Sequence, residues 1–472
     1  MSYTRKIAHN TIIQIIGKAI STIIGVVVIG MLTRYLGQAG FGQYTTIMAF
    51  LQLFGVLVDM GLYIILVKKI SEPNVDSEQI VSNIFTLRLI SAILFLGLAP
   101  IIVLFFPYPA VVKLGVLVTA LSFLGITLTQ VLTGIFQKNL RMDKVVLAEV
   151  FGRIVLIVTT YFVIKADLGL IWVMVSVVAG SLLNFFILFA FSRQFVRIKL
   201  SFDFFVWRQV VKESWPIALS IAFNLIYLRA DIIILSLYHK AEDVGIYGAS
   251  YKVLDVLVTF PAVFAGLVLP LLTAAWVAQN REKFQRVLRK SFDFMFMAAA
   301  PLVVGTFFIS KPVMDLIAPE FRDSAAVLNI LIIAAGIIFI GNLFGNTVVA
   351  INKQKTMMWL YLAVAIISLA GYLIFIPKYS YFGAAWMTIA SEFMVTISAG
   401  LIVCLTAKIW PSFRLLGKAL ISVGVMALVL HFMAGYNLFL LIITAGVVYF
   451  AALYLLKGIT KEMIGEILRI KE

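Results

Sequence analysis

Full charges lie where a lipid bilayer should exclude them. The stretch from Trp215 to Thr273 reads as two membrane-length helices joined by a short polar turn, yet it carries Arg229, Asp231, Lys252 and Asp255. An ionised side chain at a bilayer centre costs roughly 2.5–3.5 kcal/mol on insertion scales, so such groups face a protein interior or a wet cavity. Cations in that low-dielectric setting attract anionic groups strongly, and a buried carboxylate is a candidate proton or cation carrier. Lys18, Asp59, Arg88, Asp293 and Glu392 raise the same question on other helices, Glu392 with Thr388 and Thr396 on its own face.

Spacing groups these residues. Gln14, Lys18, Ser21 and Gly25 share one helical face, as do Ser220, Asn224, Tyr227 and Asp231, and as do Tyr251, Asp255 and Thr259. Ordinary helix packing explains the small and amide residues equally well, but packing does not require the charge on Lys18 or Asp231. Lys252 and Asp255, at i, i+3, can neutralise each other locally, as can Glu149 and Arg153 at i, i+4. Arg88 and Arg229 have no acidic residue at those offsets, and Arg229 falls on the face opposite Asp231. Asn342 and Asn346 put amides on one helical face, suited to sugar hydroxyls or to bonds between helices.

The elements that position these groups are membrane spans. Of 472 residues 62% are hydrophobic and only 13% charged, and the mean hydropathy is +1.08. Soluble domains are about 45–50% apolar and about 25% charged, so the chain is an all-α polytopic membrane protein. At about 20 apolar residues per crossing, fourteen helices are expected, near 10–35, 41–67, 80–106, 109–136, 145–165, 168–192, 215–238, 244–277, 290–310, 324–350, 355–376, 382–407, 415–433 and 437–456. The first apolar run continues to spanning length with no cleavage site, as a retained helix does. Cys404, the single cysteine, reads as a small buried apolar residue.

Net charge is +16, but its distribution points to topology and not to nucleic acid. Lys and Arg gather in alternate loops, among them Lys68–Lys69, Lys138–Lys144, Arg193–Lys212 and Arg281–Lys290, with Arg414, Lys461, Arg469 and Lys471 near the C-terminus. The positive-inside rule makes that side cytoplasmic and places both termini there, in a multi-pass protein of the cell membrane. Residues 193–214 alternate basic residues with Phe, Val and Trp, as an amphipathic segment on the cytoplasmic membrane surface does.

That segment separates two lobes. The expected organisation is a six-helix lobe at 1–192, the linker at 193–214, a second six-helix lobe at 215–407, and two further helices with a tail at 408–472. The lobes look like parallel repeats: at one constant offset Gly42 and Tyr44 fall on Gly245 and Tyr247, Gln52 on Asp255 and Ser21 on Asn224. Pro261 and Pro270 interrupt the eighth helix, as hinge or static kink. No GxxxxGK[ST], HExxH or GxSxG motif is present and the three histidines are scattered, so the expectation is no enzyme, no metal and no cofactor.

YLGQAGFGQY with LVDMGL (57–62), YLRADIIILSLY, GIYGASYKVLD, FPAVFAGLVLPLLT and IAPEFRDSAAVLNILIIA together resemble the polysaccharide-biosynthesis flippases of the multidrug/oligosaccharidyl-lipid/polysaccharide (MOP) exporter superfamily, in particular the O-antigen (Wzx-type) flippases. Met60 stands where that family's acidic motif leads one to expect Leu. The resemblance spans essentially the whole chain and implies two six-helix lobes in a V, like the multidrug exporters, around a central cavity. It also implies movement of a polyprenyl-diphosphate-linked oligosaccharide from the cytoplasmic to the outer leaflet by alternating access, driven by an H+ or Na+ gradient or by membrane potential, among membrane lipids and glycan-assembly proteins. On depth and charge, Lys18, Arg88, Arg229 and Lys252, with Asn224, are the expected headgroup ligands, and Asp59, Asp231, Asp255 and Glu392 the expected ion-coupling groups. A multidrug/cation antiporter of the same fold and a peptidoglycan-precursor flippase remain the alternatives.

Overall fold

Segments that cross lipid satisfy their backbone as helices or as closed barrels, and the spans of this chain are helices. The computed structural model describes residues 3–72, 75–409 and 414–458; of the basic residues named above, Lys461, Arg469 and Lys471 lie outside these. The helices are α1 (Tyr3–Asp59), α2 (Leu62–Ile70), α3 (Ser77–Ile102), α4 (Ala110–Lys138), α5 (Met142–Lys165), α6 (Leu170–Ser192), α7 (Phe204–Tyr238), α8 (Ala241–Leu257), α9 (Thr259–Val277), α10 (Arg281–Ile317), α11 (Ser324–Ala350), α12 (Gln354–Ala407), α13 (Arg414–Phe432) and α14 (Leu438–Leu455). Among the described residues, twelve helical stretches are long and apolar enough to cross a membrane. Two of them, of 59 and 54 residues, are far longer than one crossing. Each holds a residue with non-helical backbone, Gly37 in α1 and Ser380 in α12, so each supplies two spans and the total is the expected fourteen.

Three local departures from the expected helices have physical causes. The second span is broken at Met60 and Gly61, both in the left-handed region (φ 44° and 70°), so that α1 ends at Asp59 and α2 begins afresh at Leu62. Glycine adopts that geometry freely, while Met60 is strained by it. The eighth span breaks at Val258, because Pro261 has no N–H to offer the carbonyl at the end of α8. The segment expected as a linker divides at Asp203: residues 193–203 are irregular, whereas 204–214 are the first turns of α7, capped by the Asp203 carboxylate accepting from the Phe205 and Val206 N–H groups.

By packing, the chain forms two compact units. The first comprises residues 1–248 with 369–380; in it α4 and α6 pack together, as do α5 and α6, and α1 is flanked by α3, α4, α5 and α7. Its core at one end of the bundle gathers Leu66, Leu132, Phe136 and Leu188. The second comprises residues 249–368 with 381–472, where α10 lies against α9, α11, α13 and α14. There Met426, Tyr449 and Leu453 form a core, and the Tyr449 hydroxyl donates to the Met297 carbonyl at 2.9 Å.

Within the first unit the expected repeat becomes a contact. A Cβ on Gly42 would run into the backbone of Ala241 and Gly245, and a Cβ on Gly245 into that of Gln38 and Gly42. One offset (245 − 42 = 203) relates Gln38 to Ala241, Gly42 to Gly245 and Thr45 to Gly248, and Thr45 and Gly248 also touch. Equivalent turns of the two helices therefore meet each other.

Candidate functional site

The break after Asp59 brings the first pair of charges together. Arg88, on α3, is 0% exposed, and its guanidinium lies 2.6 Å from the carboxylate of Asp59, itself 22% exposed. The same guanidinium donates to the side-chain oxygen of Gln130 on α4. Nε and Nη1 of Arg88 meet no hydrogen-bond acceptor of the protein. This arginine thus ties the end of α1 to α3 and α4, and in this state it presents no surface to a ligand. Gln130 was not among the expected site residues; its signal was a lone amide in an otherwise apolar run, VLVTALSFLGITLTQVL.

A second cluster stands on α7 and α8. Asp231 is fully buried and accepts from the Tyr247 hydroxyl at 2.5 Å. Two turns before Asp231, Asn224 donates to the Tyr227 hydroxyl at 2.8 Å, and the Tyr227 carbonyl accepts from Tyr372 at 2.6 Å. Of the expected stripe, Asn224 and Asp231 each bond a tyrosine hydroxyl. Tyr247 could have been found: it is the repeat equivalent of Tyr44, and both rings are buried. Arg229 is half-buried on the same helix. Of the first stripe, Lys18 is exposed at the surface of α1, whereas Ser21 is buried.

The remaining candidates lie in both units. Lys252 and Asp255 form the expected i, i+3 ion pair at 3.5 Å. Glu392 is buried on α12, but the two threonines of its face turn elsewhere: Thr388 donates to the Ala384 carbonyl and Thr396 to that of Ile337. Asn342 and Asn346 donate to carbonyls of their own helix, Ile338 and Asn342. Glu149 and Arg153 do not make the expected pair: no contact within 4.0 Å joins them, although both are only half-buried on α5. Among the described residues no group of three His, Cys, Asp or Glu side chains could hold a metal ion.

Solved structures share this fold of membrane-spanning helices. A lipid II flippase, MurJ, in an inward closed conformation superposes with a TM-score of 0.77 at 17% identity, covering 93% of this chain and 97% of that one. An inward-facing multidrug resistance MATE transporter of the MOP superfamily gives 0.69 at 12% identity, covering 84% and 98%. In sequence, residues 7–276 match the family described as Polysaccharide biosynthesis protein, and residues 216–377 match MatE. The chain belongs to the polysaccharide biosynthesis protein family and is a multi-pass protein of the cell membrane with the MOP transporter fold. A curated relative, the capsular polysaccharide biosynthesis protein CapF of Staphylococcus aureus, is 23% identical over 73% of this chain and 88% of its own length.

Proposed function

We propose that the protein is a flippase that carries a polyprenyl-diphosphate-linked oligosaccharide from the cytoplasmic to the outer leaflet by alternating access, without catalysing a reaction. The carrying observation is the retention of full charges inside the spans of a polysaccharide-biosynthesis family member, Arg229 and Asp231 on one helix and Lys252 and Asp255 on the next. A diphosphate is at least dianionic, so cations on its path lower the cost of bringing it into low dielectric, while the prenyl tail stays in lipid. In this reading Lys18, Arg229 and Lys252, with Asn224, meet the headgroup, and Arg88 joins them only when released from Asp59. Asp231, Asp255 and Glu392 are the ion-coupling candidates. The protein alternates between states open to the two sides of the membrane, with both termini in the cytoplasm.

The MatE match over 216–377 favours a second reading, export of organic cations by antiport, and the likeness to a lipid II flippase admits a peptidoglycan precursor as cargo. Reconstitution in liposomes separates them, using a fluorescent polyprenyl-diphosphate oligosaccharide followed between leaflets with wild type and Arg229→Ala. Translocation by wild type and its loss in the variant is expected. Failure of wild type to translocate, alongside uptake of a cationic dye driven by a pH gradient, would hand the assignment to the antiporter. Transport of a lipid-linked muropeptide in preference to the oligosaccharide would select the precursor flippase.

A further inference from the structure

The segment between α6 and α7 is built more firmly than a connector needs to be. Backbone N–H groups at alternate positions, Lys199, Ser201 and Asp203, donate to Ser82 Oγ, Thr86 Oγ1 and Asn83 Oδ1 on α3, at 3.2, 2.9 and 2.9 Å. Those three α3 side chains are buried, so a polar stripe that could have lined a transport path is used to hold a strap. The spacing of two residues is that of extended chain, in which successive side chains point to opposite sides. The strap therefore presents side chains in a fixed order, and Asp203, its last residue, starts α7.

What the strap presents is apolar and cationic together. Leu200 and Phe202 are exposed on it, and Phe204 and Phe205 (73% and 71% exposed) on the first turn of α7. Arg193, Arg197, Lys199, Arg208 and Lys212 are exposed among them. Both carboxylates of the segment are already occupied. Asp203 caps α7, and Glu213 accepts from Lys68 at 3.0 Å and Lys69 at 2.8 Å. None of the five basic residues makes an ion pair among the described residues; Arg193 lies over the Phe189 ring instead. The segment thus carries five cations with no ion-pair partner among the described residues.

We propose that this strap and the first turns of α7, as far as Lys212, bind the phosphate headgroups of anionic phospholipids in the leaflet they face. Its place selects lipid over an acidic protein: the strap joins the ends of two membrane-spanning helices and lies along the first turns of a third. Aromatic and aliphatic side chains alternating with Lys and Arg are suited to insert at that boundary while the cations meet phosphate. Basic residues at a membrane surface gain about fivefold each in affinity for anionic lipid. The assignment rests on the membrane architecture alone and stands whatever cargo is carried.

The test uses the full-length protein in nanodiscs of phosphatidylcholine with a minor fraction of phosphatidylglycerol, with retained lipids counted by native mass spectrometry. Wild type should hold phosphatidylglycerol in excess of its bulk fraction. A variant with Arg197→Gln, Lys199→Gln, Arg208→Gln and Lys212→Gln should lose that excess by about tenfold or more, with an unchanged circular-dichroism melt. Leu200→Ser with Phe202→Ser, which keeps the charges, should lower retention of both lipids. An undiminished excess in the four-fold variant would overturn the proposal. So would displacement of the lipid by soluble inorganic phosphate or by an acidic peptide as readily as by phosphatidylglycerol vesicles.

Discussion

At the scale of residues, Arg88 shows how burial and charge decide a role. A guanidinium removed from water is tolerable only beside an opposite charge, and breaking such a pair by deleting one member typically costs about 3–5 kcal/mol because the other charge is left uncompensated. Arg88→Gln is therefore expected to lower thermal stability in detergent more than Arg88→Gln combined with Asp59→Asn. Equal losses in single and double variants, measured by intrinsic-fluorescence melting, would mean that the pair is not coupled. Tyr247→Phe makes a second case. It removes one of the donors to buried Asp231 and should cost about 1 kcal/mol, the usual worth of one hydrogen bond. The helical faces carrying Asp231, Asn224 and Tyr227 were legible in the sequence because periodicity reports which residues share a face. It does not report what lies opposite. Asp59 is 29 positions from Arg88 (88 − 59), on another helix, so nothing local announced their pairing. For the same reason Glu149 and Arg153, correctly spaced for each other, could be named as a pair that the side chains do not form.

At the scale of elements, hydropathy and breakers carried most of the information, and tertiary contacts supplied the rest. The fourteen spans, the interruption ahead of Pro261 and the turn near Ser380 follow from apolar length and from proline and polar punctuation. The break at Met60–Gly61 was not foreseen, because a single glycine within an apolar run is as compatible with continuous helix as with a joint. Its role is visible only in the fold, where a Cβ at Gly61 would meet the Ile217 side chain of α7. The glycine crossing of α1 and α8 gives the sharpest expectation at this scale. Gly42→Val and Gly245→Val each place a side chain against backbone that cannot yield, so each should destabilise by about 1–3 kcal/mol, the common cost of overpacking. Because the two positions occupy equivalent turns, the losses should be similar, and the double variant should cost less than their sum, since one displacement of the helices relieves both. Additive losses in melting experiments would argue that the two residues do not share one contact.

At the scale of the whole molecule, the direction of proposed transport can be argued from charge. A diphosphate headgroup carries at least two negative charges, and each elementary charge moved across the membrane field is worth about 2.3 kcal/mol per 100 mV. Exporting it from a compartment held negative is downhill in potential, as long as the protein does not carry an equal positive charge outward with it. Lys18, Arg229 and Lys252 are fixed to helices, and in a rocking mechanism they are exposed first to one side and then to the other without crossing the full field themselves. The net charge moved is then that of the cargo. Liposomes with the lipid-linked substrate in one leaflet and a potassium gradient shunted by valinomycin should accordingly show faster translocation when the substrate side is negative and slower translocation when it is positive. The same polarity effect should persist with no pH or sodium gradient. A rate indifferent to the sign of the potential but dependent on a proton or sodium gradient would instead place the driving force on the carboxylates. Asp231→Asn and Glu392→Gln would then be expected to abolish that dependence.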